Sequence, residues 1–227
     1  MKRVFPIFSI LTAFLLVYAF YEAIWVAPME RTMGDVQRIF YYHVPSAWTA
    51  FLLFFVNLVA SVLYLVRRNP KADAVAVVSA EVGVVFCTVV LVTGPIWARP
   101  VWGIWWTWDI RLTTTLVLWL IYVSYLVLRR FSDSSQTPKL AAVLAIFGAL
   151  DVPLVYFSIW FFRTQHPQPV IGGGGSIDPR MLNVLLINWL AFSCFAFLVC
   201  WSRYRLENLR REVEEAEAMA SLHGVTQ

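Results

Sequence analysis

Two histidines and a run of tryptophans hold most of the chemistry this sequence could do. The stretch Pro95–Thr113 reads PIWARPVWGIWWTWDIRLT and holds five of the eleven tryptophans: Trp97, Trp102, Trp105, Trp106 and Trp108. Asp109 follows them, with Arg99 and Arg111 on either side. Read as a helix, Trp102 to Asp109 places Trp102, Trp105, Trp106 and Asp109 on one face, by i, i+3, i+4 and i+7 spacing. A continuous indole surface beside two guanidinium groups suits a large, flat, apolar ligand that carries anionic groups. Tryptophan also collects at membrane interfaces. Such belts spread over many helix ends, whereas here five indoles fall within twelve residues.

His43 ends the segment MGDVQRIFYYH, two residues before Pro45, and His166 sits in RTQHPQPVIGGGGSIDPRM between Gln165 and Pro167. The third histidine, His223, lies near the C-terminus, far from both. A neutral imidazole is a common metal ligand, although a lone histidine is more often just a satisfied polar group. Pro167 and Pro169 restrict the backbone around His166. Cys87, Cys194 and Cys200 form no C-x-x-C, which excludes a redox pair and thioether attachment of a cofactor. They read as small buried hydrophobes. The run Gly172–Gly175 lacks the G-K-[ST] ending of a phosphate loop and reads as a flexible hinge.

Helices in a membrane must position these residues. Sixty per cent of the chain is hydrophobic and only 14% is charged, far from a soluble domain. A span needs about 20 apolar residues, and six segments qualify: Val4–Ala27, Val44–Val66, Ala74–Thr93, Leu112–Leu128, Leu140–Phe162 and Met181–Trp201. Lys2 and Arg3 precede the first, but its apolar run is too long for a signal peptide and lacks a small-residue cleavage site. The expectation is an all-α, polytopic six-helix bundle over residues 1–201, with a polar tail from 202 to 227.

Within that bundle, residues 28–48 predict a short surface helix before Pro45 opens the second span. Asp178 and Pro179 predict an N-cap and first turn for the sixth. The tail offers i, i+4 ion pairs at Glu207–Arg211, Arg210–Glu214 and Arg211–Glu215. Glu22, Glu81 and Asp151 fall within spans, where an ionisable group is a functional candidate by default. The plainer alternative is an acid hydrogen-bonded to a neighbouring helix, and their roles stay open.

Charge sets the orientation. With the N-terminus inside, twelve of the 18 lysines and arginines fall on inner segments and cluster at helix ends, as the positive-inside bias requires. Both termini are then cytoplasmic. The net charge of +4 follows from this bias and implies no nucleic-acid partner. Loops one, three and five of a six-span protein share one side, and these loops carry His43, the tryptophans and His166. Two imidazoles on opposite faces of a planar macrocycle are how a membrane protein holds six-coordinate haem iron. Arg99, Arg111, Arg163 and Arg180 lie on the same side for the propionates. Haem is the leading ligand these features predict.

WGIWWTWDIRLT at 102–113 resembles the tryptophan-rich WWD signature of haem-handling proteins in cytochrome c maturation. MGDVQRIFYYHVPSAW at 33–48 and QHPQPVI at 165–171 resemble the two histidine loops of the cytochrome c maturation protein C (CcmC) family, which shares the six spans. The resemblance runs from about Met33 to Met181. It implies a carrier rather than an enzyme, residing in the bacterial inner membrane, that holds haem b at the periplasmic face and loads it onto a membrane-anchored haem chaperone. It also implies an ABC transporter and a small single-span subunit as partners. By position, His43 and His166 become the axial ligands, and Trp102, Trp105, Trp106, Trp108 and Asp109 the loop that meets haem edge and chaperone. A transmembrane haem channel would need a polar path from the cytoplasm, at which only Glu81 and Asp151 hint. A bis-histidine electron-transfer cytochrome usually carries more than one haem, and here all candidate ligands lie at one membrane edge.

Overall fold

The computed structural model describes residues 4–132, 134–162, 164–169, 177–222 and 224. Lys2, Arg3, Arg163, the Gly172–Gly175 run and His223 lie outside the described residues. Six α-helices follow one another: α1 (Val4–Tyr21), α2 (Phe40–Arg67), α3 (Pro70–Trp102), α4 (Ile110–Phe131), α5 (Thr137–Phe161) and α6 (Pro179–Leu222). All six helical segments are long and apolar enough to cross a membrane, and no β-strand occurs among the described residues. The chain is an all-α, multi-pass membrane protein.

Local sequence explains most of the helix ends. Asn69 caps α3 by accepting the Lys71 amide at 2.9 Å, with Pro70 in the first helical position. Asp178 accepts the Arg180 amide at 2.8 Å and Pro179 opens α6, as its sequence predicts. Two boundaries differ from expectation. The segment before His43 is not a separate surface helix: a 3-10 turn at Asp35–Ile39 runs directly into α2 at Phe40. Pro45 therefore sits inside α2, in its second turn, where it forgoes the bond an N–H there would give the Tyr41 carbonyl. Helix α3 carries Pro95 and Pro100 inside it and ends only at Trp102, nine residues beyond the expected Thr93. At 33 residues it measures about 50 Å, longer than the roughly 30 Å hydrocarbon core, so it is long enough to reach beyond that core.

Small residues let the helices close on one another. A Cβ at Gly83 would lie 2.7 Å from the Phe54 ring, and one at Gly148 would lie 2.8 Å from Ile121. Phe54 in turn stacks on Tyr122 with ring centres 3.9 Å apart. Helix α1 packs along α6 and buries little of itself. It is tied there by Asn188, which donates to the Ala19 carbonyl at 3.2 Å. At its end α1 widens into a π-turn, Glu22–Val26, closed by Ala27 N–H on the Glu22 carbonyl at 2.8 Å. Arg38 reaches across to that turn and donates to the Ala23 carbonyl at 2.8 Å.

The end away from the tryptophans is knitted by charge. Asp73 accepts a two-pronged pair from Arg129 at 2.8 and 2.7 Å, and a third bond from Arg211 at 2.8 Å. Arg211 also reaches Glu207 at 2.8 Å and the Pro70 carbonyl at 3.0 Å. Of the three pairs expected in the tail, Glu207–Arg211 and Arg210–Glu214 form. Arg211 turns to Asp73 rather than to Glu215. Glu81, a candidate intramembrane acid, is paired with Arg203 by two bonds of 2.9 Å. Helix α6 passes Ser202 without a break and extends to Leu222.

Candidate ligand cavity

At the opposite end the loops after α1, α3 and α5 converge on a cavity of about 1090 Å³, just above the roughly 300–1,000 Å³ usual for cofactor and ligand sites. Its wall takes His43 from α2, Trp97 and Trp102 from α3, Trp106 from the loop, Arg111 from α4 and His166 from the last loop. Six-span parity predicts this convergence, and it brings the two histidines to one space.

Hydrogen bonds fix which nitrogen each imidazole offers. Thr93 lies 2.8 Å from His43 Nδ1 and donates its single hydroxyl proton to the Val89 carbonyl at 2.7 Å. Its oxygen can therefore only accept from the ring, so His43 carries its proton on Nδ1 and keeps the Nε2 lone pair. His166 Nδ1 stands 2.9 Å from the Pro167 carbonyl. A carbonyl cannot donate, so the same tautomer follows. Both rings present an unprotonated Nε2, with the other nitrogen held by a neighbour, the arrangement found in metal-binding histidines. Burial, then the Arg111 guanidinium, pulls the His166 imidazole down to about 4, so at neutral pH it is uncharged and able to bind a metal.

The tryptophan stretch is not the helix its spacing predicts. Helix α3 stops at Trp102 because Gly103 takes a left-handed conformation (φ 78°) and caps it, its N–H bonding the Arg99 carbonyl at 3.0 Å. Residues 103–109 then run as an irregular loop. Consequently Trp102, Trp105 and Trp106 do not share a face with Asp109. Trp102 and Trp106 line the cavity, joined by Trp97, which packs edge-on against Trp102 with ring centres 5.2 Å apart. Trp105 and Trp108 point outward, 59% and 76% exposed. Arg99 is also absent from the wall, its guanidinium bonded to the Gly103 carbonyl at the end of α3.

Asp109 occupies the N-cap of α4. Its Oδ1 accepts the Leu112 amide at 2.9 Å. Its Oδ2 accepts the Thr164 hydroxyl at 2.8 Å and the Gln165 amide at 3.3 Å, across more than fifty residues. Arg111, two residues on, has a buried Nη1 with no hydrogen-bond partner among the described residues, as has the indole N–H of Trp106. An unpaired buried guanidinium nitrogen on a cavity wall is costly unless an anion meets it. Arg180 reaches the wall too, but its guanidinium is paired with Asp178 at 2.9 Å. The sequence gives no sign of Thr93, Thr164 or Arg31 at the site, although Thr93 holds His43, Thr164 meets Asp109 and Arg31 lines the cavity.

Fold and cavity together define a class: a multi-pass membrane protein that gathers two imidazoles, indoles and a guanidinium at one end of its bundle. The family model described as "Heme exporter protein C" matches residues 1–219. Over 220 residues the chain is 36% identical to "Heme exporter protein C" of Bradyrhizobium diazoefficiens, covering 96% of this chain and 83% of the relative. The protein of the same name from Haemophilus influenzae is 31% identical over 92% of this chain and 86% of its own length. That of Escherichia coli K12 is 33% identical over 81% and 74% respectively. The chain belongs to the Heme exporter protein C family, the haem-handling membrane proteins of cytochrome c maturation, and it is not an enzyme.

Proposed function

We propose that this protein binds haem b at the outer, periplasmic face of the inner membrane and delivers it to a membrane-anchored haem chaperone for c-type cytochrome biogenesis. The observation that carries this reading is the pair of imidazoles on one cavity, one from the first turn of α2 and one from the loop after α5, each with a free Nε2 lone pair. His43 and His166 serve as the two axial ligands of the iron. The unpaired Nη1 of Arg111 meets a propionate. Trp102 and Trp106 lie against the porphyrin, while the outward Trp105 and Trp108 are left to the chaperone. Arg99 acts indirectly, by holding the turn that ends α3. Asp109 holds the loop rather than the haem.

The twelve positive residues on one side support cytoplasmic termini. The word "exporter" in the relatives' names supports partnership with the ABC transporter subunits of cytochrome c maturation, and the family resemblance adds a small single-span subunit. The third histidine, His223, follows the last span in sequence, so a second bis-histidine site for transmembrane electron transfer has no support.

Purification of wild type, His43→Ala and His166→Ala tests the site through reduced-minus-oxidised spectra. Each single variant is expected to copurify less haem, with external imidazole restoring part of the spectrum. Full wild-type spectra in both would overturn the axial assignment. Mixing the haem-loaded protein with the chaperone, and following haem into it, tests delivery separately.

A further inference from the structure

We propose that Asp109 and Thr164 are positioning residues for His166, forming a polar brace that ties the tryptophan loop to the second histidine loop. Helix α5 ends at Phe161, and residues 164–169 have no regular structure to hold them. Among the described residues, every hydrogen bond that ties this segment to the rest of the chain ends on one atom, Asp109 Oδ2. Thr164 extends that contact toward the imidazole. Its hydroxyl proton goes to Asp109, and its oxygen accepts the His166 amide at 3.1 Å. A loop without such a tether would let His166 sample many positions, and ligation would then have to offset that lost freedom.

The carboxylate is suited to this work because it accepts on both oxygens at once. Oδ1 caps α4, which is the helix that carries Arg111, while Oδ2 holds the loop of His166. One side chain thereby sets the relative placement of the cation and the second imidazole. Both oxygens are engaged within the chain, which argues against Asp109 serving chiefly as a contact for another protein.

The inference rests on His166 being an axial ligand, and the experiment separates the two. Asp109→Ala would also remove the α4 cap, so Thr164→Val is the cleaner variant: it deletes the hydroxyl and leaves the cap. Haem-loaded full-length protein is purified as wild type, Thr164→Val, Thr164→Ser, Asp109→Asn and His166→Ala. Each is titrated with external imidazole while the low-spin, six-coordinate spectrum is followed.

Thr164→Val is expected to retain haem yet lose His166 from iron on the order of tenfold more readily, as fits loss of a hydrogen bond to a charged group. External imidazole then raises its low-spin fraction, as it does for His166→Ala. Thr164→Ser should behave as wild type. Asp109→Asn keeps an acceptor for the cap but sets an amide against Gln165 N–H, and it should resemble Thr164→Val should that variant fail to accumulate. If Thr164→Val and Asp109→Asn ignore imidazole as wild type does while His166→Ala responds, the brace is overturned and the ligand assignment stands. If His166→Ala also matches wild type, the axial reading falls and takes the brace with it.

Discussion

The two ends of this bundle treat their buried charges in opposite ways. At the tail end the acids packed between helices are paired: Asp73 takes Arg129 and Arg211, Glu207 takes Arg211, and Glu81 takes Arg203. At the cavity end Arg111 Nη1, Trp106 Nε1, Thr107 Oγ1 and Thr113 Oγ1 are buried without partners among the described residues, and both imidazoles keep an unprotonated Nε2. Native interiors leave few polar groups unpaired, and exceptions call for an explanation such as a ligand. Closed pairing at one end marks structure, and open pairing at the other marks a place prepared for something else. The contrast separates two sets of charges that composition alone would treat alike.

The contrast fails most visibly if a tail-end charge proves dispensable. Asp73 is 3% exposed and holds two guanidinium groups. Asp73→Ala should destabilise the protein by about 3–5 kcal/mol, because it leaves buried cations uncompensated. Thermal unfolding in detergent measures this. The haem spectrum of the surviving folded fraction should match wild type.

At the other end the sign should reverse. Arg111→Gln removes an unpaired, partly buried cation, so the haem-free protein should unfold at the same temperature or slightly higher. Haem affinity should fall by about 1.5–3 kcal/mol, the scale of one charge-assisted hydrogen bond. A titration with haem, set beside a melting curve of the haem-free protein, gives both numbers. An Arg111 variant that loses stability as Asp73→Ala does would erase the distinction between the ends.

The smallest effects should sort the indoles. Trp106→Ala, on the cavity wall, should weaken haem binding by about 1–3 kcal/mol through lost apolar burial. Trp108→Ala, at a position 76% exposed, should leave affinity within about 0.5 kcal/mol of wild type. Haem affinity and chaperone loading measured side by side sharpen the division. If Trp108→Ala changes affinity as much as Trp106→Ala, the outward tryptophans belong to the pocket after all.

Much of this was legible in the sequence, and the misses have physical reasons. Long apolar runs mark the six helices because a bilayer admits little else. Parity alone then places His43, Trp106 and His166 at one end. The helical spacing of Trp102, Trp105, Trp106 and Asp109 misled because eight residues are too short a window for periodicity to outweigh the cap residues within it. Gly103 and the capping Asp109 end and restart the chain there. Arg99 stands within the motif yet serves the α3 terminus, since the nearest carbonyls in need of a donor are those of its own helix end. Thr93 and Thr164 could not be found by pattern. They act on His43 and on Asp109 across 50 and 55 residues of chain, and a single hydroxyl leaves no periodic trace.

Helix α6 has a mechanical consequence. Its 44 residues run without interruption from Pro179 to Leu222, a rod of about 66 Å. Met181 and Trp189 on its first turns form part of the cavity wall, while Arg211, far along it, is clamped to Asp73. Wall and clamp are thus two points on one shaft. A tilt of only a few degrees about the clamp would shift the wall by a few ångströms, so whatever grips the tail has leverage on the cavity.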